Sequence, residues 1–115
     1  AVRRHDYHPV LQAPGSADIC AHVDFAVLAE AARATGARLH GPIGQGRFLR
    51  ALGIDARCAK LKTGANPTQR AAIDSAYQRL TDGARMGELF KVLAITDPVL
   101  PPPAGFEVHP SEVRA

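Results

Sequence analysis

The spacing of apolar residues changes twice in the first third of the chain. Residues 17–23 form a short, mostly apolar run after a Pro-Gly-Ser turn signal, and they predict a strand. From Phe25 the apolar residues recur at helical intervals, with Asp24 placed to cap that helix and Gly36 placed to end it. Residues 37–41 alternate again, which predicts a second short strand that ends at a Gly-Pro pair.

The middle of the chain indicates two further helices. A short helix is predicted around Phe48 and should close at Gly53, after which residues 54–61 are expected to be extended or irregular. Asn66 is placed to cap a longer helix, and Pro67 suits its first position because the missing donor would have no partner there. The inward face of that helix should carry Ile73, Tyr77 and Leu80.

The last predicted element is a strand over residues 89–95, which are almost wholly apolar and are therefore expected to be covered on both faces. The prolines that follow forbid a further regular element, and the final dozen residues are expected to form a loose tail. We therefore expect residues 1–96 to be part of one α/β domain and residues 97–115 to be a proline-rich tail. A sheet with so few strands would leave its edges unpaired. We therefore expect a longer parent chain to supply the remaining strands.

Composition narrows the class of protein. Hydrophobic residues make up 46% of the 115 residues and charged residues 22%, as in ordinary globular domains. The net charge of +3 is scattered and aromatic residues are few, so we expect no nucleic-acid partner. No apolar run approaches the ~20 residues of a membrane span, so no membrane partner is expected. Two isolated cysteines, Cys20 and Cys58, favour a reducing compartment, in a bacterium the cytoplasm.

Two motifs suggest chemistry only weakly. His5 and His8 could be imagined as metal ligands, but Pro9 opposes a helix that presents both, and a solvated loop is the better interpretation. Residues 41–46 are rich in glycine, yet they match neither a dinucleotide-binding fingerprint nor a P-loop. A tight turn from strand to helix explains them better, and no metal is predicted.

A more informative stretch covers residues 22–25, where the end of a predicted strand meets the start of a helix. Open α/β sheets place ligand-binding groups at such positions. Asp24 could serve as a helix cap, or its carboxylate could contact a ligand. The residues by themselves leave both roles open.

Three stretches taken together resemble one known family. They are residues 21–25 (AHVDF), residues 41–54 (GPIGQGRFL through LGI) and residues 86–93 (MGELFKVL). Their order and spacing are similar to those of the MidA family of S-adenosylmethionine-dependent methyltransferases, and the similarity runs from about His5 to Phe106.

This resemblance implies a fold and an activity. The fold would be the C-terminal part of a Rossmann-like class I methyltransferase sheet, with residues 89–95 as its reversed last strand. The family includes mitochondrial complex I assembly factors that methylate a protein arginine, so the implied cofactor is S-adenosylmethionine and the implied partner is a protein substrate. Because the family's glycine-rich cofactor loop precedes the matched segment, this chain is expected to need the N-terminal remainder of its domain and to be inactive alone.

The implied reaction suggests roles for particular residues. A guanidinium with a pKa above ~12 needs carboxylates to orient it and a group to accept its proton. Asp24 and, beside it, His22 are the predicted catalytic residues at the ligand edge. Gln45 is predicted to bind the substrate through its amide, together with Phe25 and Gly46. The alternative is a non-catalytic module that binds a protein partner during complex assembly.

Overall fold

The first residues form a small hairpin. The computed structural model of the protein describes residues 1–4 and 6–107. Strand β1 (Val2–Arg3) pairs antiparallel with β2 (Asp6–Tyr7), and Val2 also exchanges two backbone hydrogen bonds of 2.9 Å with Asp18. The proposed loop over residues 5–8 thus contains a strand, whereas His5, one of the two histidines considered as metal ligands, lies outside the described residues.

The strand predicted over residues 17–23 does not form. Asp18 makes a single bridge to Val2, and residues 19–24 have no regular structure. Ile19 is 77% exposed, so its apolar side chain has no covering layer within the described chain. A short apolar run forms a stable strand only when a neighbouring strand pairs with its backbone N–H and C=O groups. Among the described residues, Val2 alone pairs with this run, through Asp18.

Helix α1 (Phe25–Ala34) forms as predicted. Asp24 Oδ1 accepts hydrogen bonds from the backbone N–H groups of Ala26 and Val27 at 3.0 and 3.1 Å. At the other end Gly36 adopts a φ of 80°, a conformation that suits glycine after a helix. Ala29 and Ala32 are buried, and α1 packs against the next strand.

Strand β3 (Arg38–Gly44) is longer than predicted. It pairs antiparallel with β4 (Lys91–Thr96), from Arg38 opposite Thr96 to Gly44 opposite Lys91. The register shifts between His40 and Ile43, and the cis Gly41-Pro42 bond lies within this irregularity. A bulge is one of the few places where a strand tolerates proline, so the Gly-Pro pair does not end the strand.

Four helices between β3 and β4 form a helical lobe. They are α2 (Gln45–Ala51), α3 (Ile54–Thr63), α4 (Pro67–Thr81) and α5 (Met86–Leu89). The short helix closed by Gly53 is confirmed, but the expectation of irregular structure over residues 54–61 is wrong. Gly53 turns the chain with a φ of 87°, and α3, which consists mostly of good helix formers, packs on α4.

The start of α4 confirms its predicted cap. Asn66 and Gln69 exchange reciprocal hydrogen bonds between side chain and backbone, and Pro67 occupies the first helical position. Tyr77 donates a 2.7 Å hydrogen bond to Asp55 of α3, and Lys62 pairs with Asp74. Two polar contacts therefore join α3 and α4 into a hairpin.

The last strand differs in two respects from its prediction. Leu89 ends α5, so β4 begins two residues later than expected. The strand is half-buried rather than covered on both faces, and Ile95 is 46% exposed. Within residues 1–4 and 6–107 the strands form two separate two-stranded sheets, so the described residues show a mixed α/β arrangement.

The segment after β4 packs on the lobe. Gly105 is buried against the ring of Phe48, and the ring of Phe106 lies 5.3 Å from that of Phe48 and 6.1 Å from that of His40. The predicted loose tail is therefore ordered by aromatic packing as far as Phe106. Its remainder, residues 108–115, lies outside the described residues.

Three helices meet without side chains between them at Thr81. A Cβ added to Gly46 of α2 or to Gly87 of α5 would overlap the carbonyl oxygen of Thr81. Thr81 is itself 3% exposed, and Arg50 donates a 3.2 Å hydrogen bond to the same carbonyl oxygen. We call this cluster of Gly46, Gly87 and Thr81 the glycine joint.

No helix among the described residues has the length and apolar character needed to cross a bilayer.

We expect Gly46→Ala to lower the free energy of unfolding by about 2 kcal/mol, because the new methyl group must push α2 away from Thr81. Gly64→Ala is the matched control, since a Cβ at Gly64 meets nothing within 4 Å. Urea unfolding followed by circular dichroism measures both variants. Equal stability of the two would contradict the tight packing of the joint.

Candidate active site

The fold brings both predicted site segments, residues 22–25 and 44–46, toward one end of the sheet. Strand β3 ends at Gly44, and β4 begins opposite it at Lys91. Helix α1 packs on β3 and is joined to it by only three residues, so the chain reverses and the start of α1 lies toward the end of β3. We call this end of the sheet, made of residues 22–25, 44–46 and 87–91, the Gly44 edge.

Asp24 caps α1 with only one of its two carboxylate oxygens. Both N–H groups, those of Ala26 and Val27, donate to Oδ1. Within the described part of the chain Oδ2 accepts no hydrogen bond, and the residue is exposed. The two roles left open by the sequence are therefore compatible, because the cap fixes the carboxylate while its second oxygen is left for a ligand.

His22 and Phe25 flank Asp24. His22 is exposed and makes no hydrogen bond to Asp24 or to another of the residues that the structure describes. Phe25 is half-buried as the first residue of α1. These two side chains share the edge with Asp24 without being tied to it.

Gln45 and Gly46 hold α2 against α4 at the end of the sheet. The amide Nε2 of Gln45 donates a 2.9 Å hydrogen bond to the carbonyl oxygen of Leu80, and its backbone N–H donates to Phe90 at 2.9 Å. Gly46 is buried in the glycine joint. Both residues lie at the predicted edge, but their observed contacts are to the protein itself.

Glu88 is a second carboxylate at the Gly44 edge, and sequence reasoning assigned it no role. Its Oε1 atom lies 2.7 Å from the position that a Cβ on Gly44 would occupy, so the absence of a side chain at Gly44 makes room for it. Oε2 accepts a 3.2 Å hydrogen bond from Lys91 Nζ, and the side chain is 65% exposed. The signal was available, because Glu88 lies inside the stretch MGELFKVL that carries the family resemblance.

The chemistry of this edge suits a cationic ligand. Within residues 1–4 and 6–107, Asp24 Oδ2 accepts no hydrogen bond, and Glu88 forms an ion pair with one partly exposed lysine, Lys91. Carboxylates that approach a guanidinium can accept paired, charge-assisted hydrogen bonds from it. Among residues 1–4 and 6–107, no three His, Cys, Asp or Glu side chains converge on a common metal position.

Comparison with known proteins supports the family resemblance. A family model described as "Putative S-adenosyl-L-methionine-dependent methyltransferase" matches residues 1–43. The mitochondrial protein arginine methyltransferase NDUFAF7 homolog of Drosophila melanogaster is 41% identical over 102 residues, which cover 87% of this chain and 23% of that protein. Mitochondrial protein arginine methyltransferase NDUFAF7 of Homo sapiens is 41% identical over 92 residues, which cover 79% of this chain and 21% of that protein.

The match covers most of this chain but a small part of each relative. The chain spans between a fifth and a quarter of the length of the curated relatives it matches. The aligned region includes most of the residues that form the Gly44 edge, as its coverage of 87% of the chain requires. These matches confirm the resemblance of this chain to the MidA-like family of S-adenosylmethionine-dependent methyltransferases.

Proposed function

We propose that this chain supplies the acceptor side of a methyltransferase that acts on a protein arginine. The observation that carries the proposal is that Asp24 Oδ2 is unused by its own helix, while a second carboxylate, that of Glu88, lies against Gly44 at the end of β3. The relatives are named protein arginine methyltransferases, which supports the same acceptor.

Two carboxylates would help to methylate arginine, because its guanidinium group must be oriented and must lose a proton. A free guanidinium is protonated at neutral pH and is a weak nucleophile. Asp24 Oδ2 and Glu88 would orient its N–H groups, and one of the two would accept the proton released when the nitrogen is methylated. His22 is exposed beside Asp24 and can relay that proton to solvent.

The glycine-rich end of β3 does not fit S-adenosylmethionine itself. The glycines at the end of β3 are already occupied, since Glu88 lies against Gly44 and Thr81 lies against Gly46. No backbone cradle is left there for a cofactor to approach. S-adenosylmethionine supplies the methyl group in this family, and we assign its binding to parts of the longer protein.

The antiparallel pairing of β3 and β4 supports a finer interpretation of the fold. In this proposal β3 belongs to a larger Rossmann-like sheet, and β4 is its reversed last strand. Ile95 of β4 and Val27 of α1, 46% and 61% exposed, would then be covered by the rest of that sheet and its helices.

The compartment and partners follow from the same proposal. The relatives are named as mitochondrial proteins. The thiols of Cys20 and Cys58 are both free, which fits the reducing compartment predicted from the sequence. In a bacterial host that compartment is the cytoplasm, and the partner is the protein that carries the methylated arginine.

We expect Asp24→Asn to lower methyl transfer about a hundredfold while the melting temperature and the affinity for S-adenosylmethionine stay nearly unchanged. Asparagine keeps the acceptor oxygen that caps α1 but removes the negative charge that a guanidinium requires. Radiolabelled methyl transfer to the protein substrate measures the loss. Full activity of Asp24→Asn would show that Asp24 caps α1 but has no role in methyl transfer.

Glu88→Gln should raise the KM for the protein substrate and lower kcat, by about tenfold or more in kcat/KM, because the second carboxylate is lost. Glu30→Gln is the matched control, since Glu30 is an exposed carboxylate within α1 rather than at the Gly44 edge. If both variants behave alike, Glu88 has no part in substrate binding.

The 115-residue chain by itself should show no heat of binding with S-adenosylmethionine in calorimetry, because the glycines at the end of β3 are already packed against Glu88 and Thr81. A dissociation constant in the micromolar range would place the cofactor site within this chain. That result would overturn the assignment of its residues to the acceptor side.

A further inference from the structure

An open apolar cavity lies at the tip of the α3–α4 hairpin. Its volume is about 410 Å³, which is within the range of binding pockets. The lining consists of apolar side chains, one glycine and one amide, from Leu61, Gly64, Ala65, Gln69, Ala72 and Ile73. Leu61 is 49% exposed although it is a large apolar residue. The cavity thus offers room and apolar surface for the side chain of another molecule.

Cations surround this cavity. Arg70 donates a 3.0 Å hydrogen bond from Nε to the carbonyl oxygen of Ala65, which holds its guanidinium at the rim. Arg57 lies four residues before Leu61, and Lys60 lies four residues before Gly64, so all four residues lie on one side of α3 and its C-cap. Neither Arg57 nor Lys60 forms an ion pair with any residue that the structure describes.

The carboxylates of the hairpin do not neutralise these cations. Between Ile54 and Thr81 there are five Lys or Arg residues and two Asp residues. Asp74 pairs with Lys62, and Asp55 accepts the hydroxyl of Tyr77, so both acids already have partners. The rim of the cavity therefore keeps a positive charge.

The hairpin's main contacts leave this face uncovered. α3 packs on α4 and α2, and α4 packs on α3, α2 and α5. α3 contains no buried residue, although half-buried side chains line its contact with α4. An apolar cavity with a basic rim is complementary to a segment that presents apolar anchors between acidic residues.

We propose that the α3–α4 hairpin is a docking site for an acidic amphipathic segment of a partner protein. An apolar side chain of the partner fills the cavity, and carboxylates beside it pair with Lys60, Arg57 and Arg70. This site is separate from the Gly44 edge. It does not depend on methyl transfer, because binding can be measured with the Asp24→Asn protein.

A designed peptide tests the proposal by fluorescence anisotropy on the full chain. The probe is a fluorescein-labelled helical peptide with leucines at i, i+3, i+4 and i+7 and glutamates at its other positions. We expect saturable binding that weakens when salt is raised. A second peptide with serines in place of the leucines should bind about tenfold more weakly, because it cannot fill the cavity.

Substitutions at one glycine locate the binding. Gly64 has a φ of −103° and open space around it, so a side chain there can be accommodated. Gly64→Glu should weaken peptide binding about tenfold, and Gly64→Lys should preserve or strengthen it. Gly83→Glu is the charge-matched control, because Gly83 also has room for a Cβ and is outside the cavity. It should change the affinity less than about twofold.

Three results would overturn the proposal. One is the absence of saturable binding by the leucine-glutamate peptide. Another is an equal loss of affinity in Gly64→Glu and Gly83→Glu, which would show that only net charge matters. The third is a single-stranded oligonucleotide, or vesicles containing phosphatidylserine, that binds the chain more tightly than the leucine-glutamate peptide does and loses this binding in Gly64→Glu. Such an outcome would assign the surface to nucleic acid or membrane instead.

Discussion

Close packing at the carbonyl of Thr81 holds three helices of the lobe together beside the sheet. Gly46 and Gly87 bring α2 and α5 against this carbonyl, and Arg50 donates to its oxygen. Gln45 adds a hydrogen bond to the neighbouring carbonyl of Leu80. Since α2 follows β3 directly and α5 lies just before β4, this joint fixes where β3 ends and where β4 begins. The position of Glu88 at the Gly44 edge depends on it, because Glu88 follows Gly87.

The proposed site uses one carboxylate for two purposes. Asp24 Oδ1 fixes the first turn of α1, and Oδ2 is left for a ligand. A side chain held by two backbone N–H groups loses little further freedom when it binds substrate, which favours an accurate orientation. The substitution Asp24→Asn therefore separates the two roles of this residue, because asparagine still caps the helix but no longer carries the negative charge.

Local signals predicted the helices better than the strands. Asp24, Gly36, Asn66 and Pro67 act within a single turn, and the structure confirms each of them. The strand over residues 17–23 and the complete covering of β4 depend on neighbours far along the chain or outside it, so the local pattern could not determine them. Helix α3 was missed because none of its residues is buried, so its sequence lacks a clear apolar face although it consists mostly of good helix formers. Glu88 lies within the motif of residues 86–93, but its position beside Gly44 becomes visible only in the fold.

The acceptor atom is the central claim, and mass spectrometry tests it most directly. The full-length protein would be incubated with S-adenosylmethionine that carries a deuterated methyl group and with an extract from cells that lack the enzyme. The account predicts the labelled methyl on arginine nitrogen in a protein of that extract, since two carboxylates at the Gly44 edge select a guanidinium. Label found only on lysine, on carboxyl groups or on small molecules would contradict it.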